Sequence, residues 1–345
     1  MNSSSLPNKR PNLLIPKHFK VVLAVCFVML VISVVASLVF GSRVVRWNEL
    51  LDGLFHPDVD SYGANVVRKR ISRTVFSLFC GSALGVSGAL MQAVTRNPIA
   101  DPSILGVNTG ASLFVVCGIA FLNISTANQY IWLALAGAAV TAAFVFGIGS
   151  MGRGGATPIK LVLAGAATTA ALSSLVTAIM IPRSYVMDQF RFWQVGSVGS
   201  ASWSGISTFI PFLIIGILIG LVAAPALNAL ALGDDVATGL GVKTGTLRLI
   251  AAIAGILLCG ATTALAGPIG FVGLLATHAI RLILGPDLRF VIPMSAVSGA
   301  VILTLSDVIG RLAGSPGELE VGVVTAFIGA PILIILAMRS KVRSL

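Results

Sequence analysis

Charged side chains are scarce in this sequence. Aspartate, glutamate, lysine and arginine make up 10% of its 345 residues, whereas 56% are hydrophobic. Apolar runs of about 20 residues recur from end to end, and each is long enough to cross a hydrocarbon core of about 30 Å. This composition excludes a soluble domain and predicts an all-α, polytopic transmembrane helical bundle. The runs are continuous rather than alternating, which argues against a transmembrane β-barrel.

Several motifs that carry chemistry are missing. No Gly-x-x-x-x-Gly-Lys-Ser/Thr loop occurs, so the chain is not itself a P-loop ATPase. The three histidines lie far apart, and His278 fits a polar residue at a helix end better than a metal ligand. No predicted span contains a pair of carboxylates, which disfavours an intramembrane aspartyl protease and a carrier built on acid relays. We therefore expect no catalytic residue, no metal site and no cofactor.

Cysteine is scarce as well, and glycine is abundant. All four cysteines lie within apolar runs, so we interpret them as small packing residues rather than as a disulfide framework. The 37 glycines fit closely packed membrane helices, and Gly81-x-x-x-Gly85 is one example of the spacing that such helices use.

Basic residues outnumber acidic ones by 23 to 12. They lie at the ends of apolar runs rather than on one folded face, so we expect no nucleic-acid partner. Ten candidate spans occur, at 20–40, 74–94, 103–123, 130–150, 158–181, 205–227, 247–266, 269–285, 291–313 and 321–338. The seventh and eighth are ambiguous: one long tilted helix is an alternative, but Gly267-Pro268 offers a break.

The distribution of charge predicts the orientation. Ten spans with a cytosolic N-terminus place 14 basic and four acidic residues inside, and nine basic and eight acidic residues outside. Nine spans would put the basic C-terminal tail outside, against the positive-inside tendency. We therefore expect a cytosolic tail at 1–19, a single transmembrane domain at 20–338 and a cytosolic tail at 339–345, in the plasma (inner) membrane.

A polar interruption at 95–110 separates two apolar runs. Between Arg73 and Arg153, its Arg96 and Asp101 are the only charged side chains. Pro98 and Pro102 prevent one continuous helix. Two interpretations stay open here: a tight connecting loop, or a shaped functional loop against a moving or binding surface.

The first outer loop, 41–73, contains six basic residues, which is unusual for a segment outside the membrane. Either a loop of this length tolerates the charge, balanced by its own acids, or it is a docking surface for an acidic partner. Arg311 could join that surface. Asp307 lies four residues earlier on the same helical face, so a local ion pair is the competing interpretation.

Two further segments have mixed character. Residues 182–204 predict a short helix that dips into the outer leaflet. In the alternative interpretation, Tyr185 and Trp193 are ordinary interfacial anchors. Residues 226–246 form a long inner loop that predicts two very short helices joined at glycine, with Asp234 and Asp235 near the start of the second. A purely connecting loop could be much shorter.

Several long motifs, in order, resemble the permease subunits of ABC importers for ferric siderophores, haem and cobalamin. The resemblance runs from about Arg70 to the C-terminus. Its motifs include Arg-Ile-Ser-Arg-Thr at 70–74, Gly-Ala-Leu-Met-Gln at 88–92, Arg-Asn-Pro-Ile-Ala-Asp-Pro-Ser-Ile-Leu-Gly-Val at 96–107, Phe-Trp-Gln-Val-Gly-Ser at 192–197, Leu-Gly-Asp-Asp-Val-Ala-Thr-Gly-Leu-Gly at 232–241, Gly-Pro-Ile-Gly-Phe-Val-Gly-Leu at 267–274, Ser-Asp-Val-Ile-Gly-Arg at 306–311 and Gly-Glu-Leu-Glu-Val-Gly-Val-Val-Thr-Ala-Phe-Ile-Gly-Ala-Pro at 317–331.

The resemblance implies a type II ABC importer permease of ten helices, with a second permease subunit (homo- or heterodimer), two cytosolic ABC ATPases and a siderophore-binding protein outside. It implies that Arg70, Arg73 and Arg311 dock the binding protein. The loop at 228–243 would couple to the ATPase through Leu232, Gly233, Asp234, Asp235, Ala237, Gly239, Leu240 and Gly241. Helices matching spans three, five and the 190–200 segment would line the path. Residues of the path and inner loop would be Gln92, Arg96, Asn97, Pro98, Asp101, Trp193, Gln194 and Ser197.

The wording of the motifs is nearest to ferric catecholate siderophore permeases, as in Tyr-Val-Met-Asp-Gln-Phe-Arg-Phe-Trp-Gln-Val-Gly-Ser at 185–197. Haem or cobalamin within the same family is the alternative substrate, and an ion-coupled secondary carrier is the alternative mechanism. One departure concerns docking: the family's usual Arg-x-Pro-Arg is Arg70-Ile-Ser-Arg73, which lacks the proline that would fix a turn there.

Overall fold

The computed structural model describes residues 19–124, 126–151 and 157–339. The predicted tails at 1–19 and 339–345 lie outside the described residues apart from positions 19 and 339, and Arg153 lies outside them as well. The described ranges contain thirteen α-helices: α1 Phe19–Val39, α2 Trp47–Phe55, α3 Tyr62–Thr95, α4 Val107–Leu122, α5 Ala127–Ser150, α6 Pro158–Met180, α7 Ser184–Gln194, α8 Trp203–Ala231, α9 Asp234–Gly239, α10 Thr244–Ala266, α11 Val272–Leu284, α12 Leu288–Ala313 and α13 Val321–Arg339.

Each of the ten predicted spans corresponds to one of these helices. Seven helices are long and apolar enough to cross a membrane: α1, α3, α5, α6, α8, α10 and α12. Three shorter apolar helices, α4, α11 and α13, account for the other spans. The predicted all-helical polytopic bundle is therefore confirmed. The remaining helices, α2, α7 and α9, are 9, 11 and 6 residues long.

Helix α3 is the central element, because α12, α11, α10 and α8 all pack against it. Three of its glycines face the backbone of neighbouring helices: Gly81 lies against Gly299, Gly85 against Ser295, and Gly88 against Gly273. A methyl group at Gly88 would lie 2.6 Å from the Gly273 carbonyl carbon. Small residues at these crossings let the helices approach closely. Membrane helices associate through such close packing, because the hydrophobic effect does not drive helices together within lipid.

The break between spans seven and eight is where the Gly-Pro pair predicts it. Helix α10 ends at Ala266, Gly267 has a φ of +74°, and α11 begins at Val272. A left-handed glycine followed by proline cannot continue a helix. Spans seven and eight are therefore separate helices.

Helix α3 begins at Tyr62, twelve residues before the predicted start at 74. Ser61 caps it, since its side chain accepts a hydrogen bond of 3.1 Å from the Ala64 backbone N–H. Arg70 and Arg73 consequently lie inside a helix, and the segment 41–73 is not one long loop. The sequence-based start was wrong because hydropathy marks where a helix enters hydrocarbon, whereas the cap marks where the backbone begins to coil.

The prediction of two short helices in the loop 226–246 is half wrong. Helix α8 continues to Ala231, and α9 is the only short helix that the structure describes in this loop. The joint is Gly233, with a φ of +121°, and Asp234 and Asp235 open the first turn of α9 as expected. The apolar run of span six extends as regular helix beyond the stretch that hydropathy alone delimits.

Two groups of charged side chains mark opposite ends of the bundle. The Asp307 face contains Arg70, Arg73, Asp307, Arg311 and Glu318, and the Asp234 face contains Arg96, Asp234 and Arg248. Arg73 and Arg96 are 23 residues apart along α3 and its C-terminal cap. At 1.5 Å per residue, the two faces are separated by about 35 Å, which is the thickness of a bilayer core with part of its interface.

Candidate functional site

Asp307 is the centre of an ion-pair cluster on the Asp307 face. Its side chain is 1% exposed, and Arg73 Nη2 lies 2.7 Å from its Oδ1. Arg311 Nε lies 3.1 Å from its Oδ2, so the local ion pair with Arg311 is confirmed. Arg73 Nη1 also binds Glu318 Oε2 at 2.6 Å. Two guanidinium groups thus share one buried carboxylate, and Arg73 alone extends to the half-exposed Glu318.

Arg70 and Arg311 close the C-terminal end of α1. Arg70 Nη1 donates to the carbonyls of Leu38 and Val39 at 3.0 and 2.9 Å. Arg311 Nη1 donates to the carbonyls of Ser37 and Phe40, both at 3.0 Å. The last carbonyls of a helix have no partner within it, so these two cations satisfy groups that would otherwise be unpaired.

The three arginines that the sequence assigns to docking therefore differ in availability. Arg70 is 7% exposed and Arg311 is 1% exposed, and both are hydrogen bonded within the chain. The Arg73 side chain is 12% exposed and borders a cavity of about 770 Å³ that also contacts Trp193, Ser197 and Glu318. Among these three, Arg73 is the one with an edge toward that cavity.

Asp234 is the corresponding centre on the Asp234 face. Arg248 Nη2 donates to Asp234 Oδ1 at 2.8 Å, and Arg96 binds the same oxygen. The Arg248 side chain is only 8% exposed, whereas Asp234 is 48% exposed. This single carboxylate therefore joins three segments: the C-terminal cap of α3, the first turn of α9, and α10.

The stretch 95–110 folds as a turn and a short 3-10 helix. Pro98 is the second residue of a turn that closes with a 3.1 Å hydrogen bond from the Ala100 N–H to the Asn97 carbonyl. The Asn97 side chain accepts a second bond, 3.1 Å from the Ile99 N–H. Asp101 accepts from the Ser103 N–H at 3.0 Å and caps the 3-10 helix Pro102–Leu105.

The segment leads from Arg96 into α4, and α4 lines a cavity. Arg96 itself has a left-handed φ of 49°, and Gly106, at +71°, makes the last bend before α4. The segment is thus compact, as a tight connecting loop would be, and it runs from the partner of Asp234 to a cavity wall; a role as a shaped functional loop stays a prediction.

The loop 228–243 is attached to the bundle at both ends and exposes its middle. Asn228 Nδ2 donates to Asp287 Oδ1 at 2.6 Å, and its own Oδ1 accepts from the Leu288 N–H at 2.9 Å. Hydrogen bonds from Arg289 hold the pKa of Asp287 below its usual value, so this carboxylate stays charged at neutral pH. Asp234 makes the second attachment.

Apolar side chains lie on the outer side of the same loop. Ala237 is fully buried against the bundle, whereas Leu232, Val236 and Leu240 are 67%, 49% and 65% exposed. Val236 and Leu240 are four residues apart along α9 and its C-terminal cap, and Leu232 lies just before the bend at Gly233; we call these three side chains the exposed stripe. An exposed apolar stripe with buried attachments is typical of a surface that another protein covers.

A cavity of about 910 Å³ lies beside α7. It is lined by α4, α6, α7, α13 and the segment 268–271, and its lining contains no charged side chain within the described residues. Its polar groups are amides and hydroxyls, namely those of Asn108, Thr109, Ser112, Ser173, Thr177 and Gln194. Phe327, 84% exposed, stands at its open side.

The predicted path residues divide between several places. Gln194 lines the larger cavity, and Trp193 and Ser197 line the 770 Å³ cavity on the other side of α7. Gln92 lines neither; it is 2% exposed in α3, and its amide has no hydrogen-bond partner within the described residues. Arg96, Asn97, Pro98 and Asp101 form the turn described above.

The sequence interpretation missed two residues that the structure brings into these sites. Asn108 accepts a 2.8 Å hydrogen bond from the Thr263 hydroxyl and lines the larger cavity. Glu318 pairs with Arg73 across 245 positions of sequence. The available signals were an amide at the start of an apolar span and two acids just before the last span. Within the described residues, no group of three His, Cys, Asp or Glu side chains could hold a metal.

The arrangement of helices and cavities is that of a membrane transport permease. A solved structure of a metal-chelate type ABC transporter in an inward-facing conformation superposes with a TM-score of 0.80 and 25% sequence identity, covering 93% of this chain and 99% of that one. The chain belongs to the FecCD transport family, whose model matches residues 29–339.

Named relatives agree with this assignment. The ferric enterobactin transport system permease protein FepD of Escherichia coli (strain K12) is 41% identical over 312 residues, which is 90% of this chain and 93% of that protein. The Fe(3+)-citrate import system permease protein YfmD of Bacillus subtilis (strain 168) is 43% identical over 272 residues, covering 79% and 80%.

Proposed function

We propose that this chain is the membrane-spanning permease subunit of an ATP-driven importer that moves ferric siderophore complexes across the plasma membrane. The observation that carries the proposal is membership of the FecCD transport family over residues 29–339, with relatives named for ferric enterobactin and Fe(3+)-citrate. In the assembly we infer, a second permease subunit, two ABC ATPases and a siderophore-binding protein complete the importer. The Asp234 face is cytosolic, as are both termini.

The absence of charge from the described lining of the cavity supports a bulky substrate that is bound weakly. The cavity wall offers hydroxyl and amide groups beside Phe271 and Phe327. Neutral hydrogen-bonding groups hold a ligand more weakly than a charged pair would, and a transport site must also release what it binds. The open side at Phe327 and Pro331 of α13 is where the second subunit would close the path.

The exposed stripe of the loop 228–243 supports ATPase docking. Leu232, Val236 and Leu240 would enter the cleft of the ATPase, while Ala237 holds α9 to the bundle. Movement of α9 would be transmitted by Asp234 to Arg96, through the turn at 97–106, to Asn108 at the cavity. The binding and hydrolysis of ATP take place on the partner, and this chain converts them into a change in the cavity.

Docking of the binding protein would use the opposite end. Arg70 and Arg311 are engaged with α1, so they would position the surface and contribute long-range positive potential. Arg73 would meet an acidic side chain of the partner directly, in competition with Glu318.

The test is reconstitution of the chain with the neighbouring ATPase and binding protein in proteoliposomes, followed by uptake of radioactive ferric siderophore. We expect uptake that requires internal ATP and the binding protein, with ferric catecholates competing better than haem or cobalamin. Uptake by this chain alone, or uptake that survives ATP depletion and collapses with an ion gradient, would show a secondary carrier instead.

A further inference from the structure

Helix α2 presents an apolar face on which the described chain leaves three large side chains exposed. Trp47 is 68% exposed, Leu54 is 40% exposed and Phe55 is 70% exposed. At 100° per residue, these three side chains and Leu51 fall within an arc of about 100°. We call these four residues the Trp47 face.

The other sides of α2 are already occupied. Leu50 is 6% exposed, and Gly53 lies so close to α3 that a methyl group there would be 2.6 Å from the Val67 Cβ. Glu49 accepts hydrogen bonds from the Arg46 N–H at 3.0 Å and from Arg43 at 2.7 Å. The bond from the Arg46 backbone, with the nearby guanidinium groups, lowers the pKa of Glu49. Helix α2 is therefore held in one orientation with the Trp47 face outward.

The depth of α2 in the membrane follows from its neighbours. Helix α1 has 21 residues, or about 31 Å at 1.5 Å per residue, which matches a hydrocarbon core of about 30 Å. Its end is marked by the carbonyls that Arg70 and Arg311 bind. Leu50 shares one hydrophobic cluster with Val67 and with Leu38 and Val39 of α1, so α2 lies directly beside that end.

The distance of α2 beyond the end of α1 can be measured along α3. Helix α2 contacts Ala64 and Val67, which precede Arg70 by six and three residues. The helical rise places these contacts about 5–9 Å past the Arg70 level. The headgroup layer on each side of a bilayer is about 5–8 Å thick. With Leu50 beside the end of α1, helix α2 therefore extends from the inner boundary of that layer to its outer edge.

We propose that α2 is an interfacial anchor whose Trp47 face lies in the headgroup layer of the leaflet at the Asp307 face. Trp47 and Phe55 are the residue types that such helices insert, and exposed Arg46 precedes them next to where lipid phosphates lie. The occupant of this face is lipid. This inference depends only on the chain spanning a bilayer and not on what it transports.

The test uses tryptophan fluorescence of the complex of permease and ATPase subunits in nanodiscs, before and after the binding protein is added. The chain has four tryptophans, so the difference between the unaltered protein and Trp47→Phe isolates the signal of Trp47. In the Trp47→Phe background, Phe55→Trp reports the other end of the face, and Asp52→Trp is the matched control on the polar side of the same helix. Each is quenched with lipids brominated near the headgroup and, separately, with aqueous iodide.

We expect bromolipid to quench Trp47 and the residue-55 tryptophan at least about threefold more than the residue-52 tryptophan, with the order reversed for iodide. Iodide quenching of all three to the same extent would overturn the proposal, because the face would then be in water. Protection of Trp47 from iodide only after the binding protein is added would also overturn it, since the face would then be a protein-docking surface.

Discussion

Replacing Asp234 by Asn should uncouple the loop 228–243 from the cavity. The substitution keeps the size of the side chain and removes its charge. Arg248, whose side chain is 8% exposed, loses the carboxylate that accepts its 2.8 and 3.1 Å hydrogen bonds, and Arg96 loses the same partner. The link between α9, α10 and the end of α3 then rests on neutral contacts alone.

The size of the effect can be estimated from these contacts. Hydrogen bonds to charged groups contribute about 1.5–3 kcal/mol when buried. Asp234 is 48% exposed, and solvent screening lowers each of its two arginine links to about 1 kcal/mol. A loss of about 2 kcal/mol changes the ratio of linked to unlinked states roughly 30-fold. We therefore expect ATP-driven uptake to fall by about 10- to 30-fold.

The assay compares uptake with ATP hydrolysis in the same proteoliposomes. Asp234→Asn should lower the number of siderophores moved per ATP, and Asp234→Glu should restore much of it, because the carboxylate is retained. Asp58→Asn, an exposed aspartate near the opposite end, is the matched control and should change the ratio less than about twofold. Arg96→Gln should add little to Asp234→Asn, since Asp234→Asn has already removed the link to Arg96.

Equal uptake per ATP in Asp234→Asn and the control would refute this reasoning. The exposed stripe at Leu232, Val236 and Leu240 would then be sufficient for coupling. A fall in uptake that follows only from less folded complex, with the ratio unchanged, would refute it as well and would assign Asp234 a purely structural role.

Three further outcomes are expected. Arg311→Gln should lower the Tm of the purified protein by an amount equivalent to about 3–5 kcal/mol, because it breaks a buried ion pair and frees carbonyls of α1, whereas exposed Lys69→Gln should not. Glu318→Gln should raise the affinity for the binding protein, most clearly at low salt, because Arg73 is released for a partner carboxylate. Arg73→Gln should lower that affinity. Equal affinities in the two variants and the unaltered protein would show that neither side chain takes part. Gly85→Leu should abolish accumulation of folded protein because its side chain would meet the Ser295 backbone, while Gly147→Leu, which faces open space, should be tolerated.

The extent to which the sequence anticipates this structure differs between features. The order and number of the spans follow from hydropathy, because burial of apolar side chains in lipid is a local property of each segment. The break at Gly267-Pro268 follows from backbone sterics, which are also local. The start of α3 at Tyr62 and the length of α8 were missed, because a polar cap or a last helical turn leaves no hydrophobic signal.

The contacts of the candidate-site residues follow from the sequence much less than the spans do. The motif at 232–241 predicts a functional loop, which stays a prediction, and the structure separates the buried residues of that loop from the exposed ones. Arg70, Arg73 and Arg311 look alike in the sequence, yet two of them bind the end of α1 and one borders a cavity. No pattern of spacing distinguishes them, since their partners come from helices far away along the chain.

The sequence by itself determined that this is a helical membrane protein, where its spans lie and which family it belongs to, because those features depend on local hydropathy and on ordered motifs. Only the tertiary structure decided which charges are paired. Arg73 with Asp307 and Arg96 with Asp234 are separated by 234 and 138 positions. Such pairs exist because helix packing brings helix ends together at the two faces of the bundle, where buried Asp307 and Arg248 each need a partner of opposite charge.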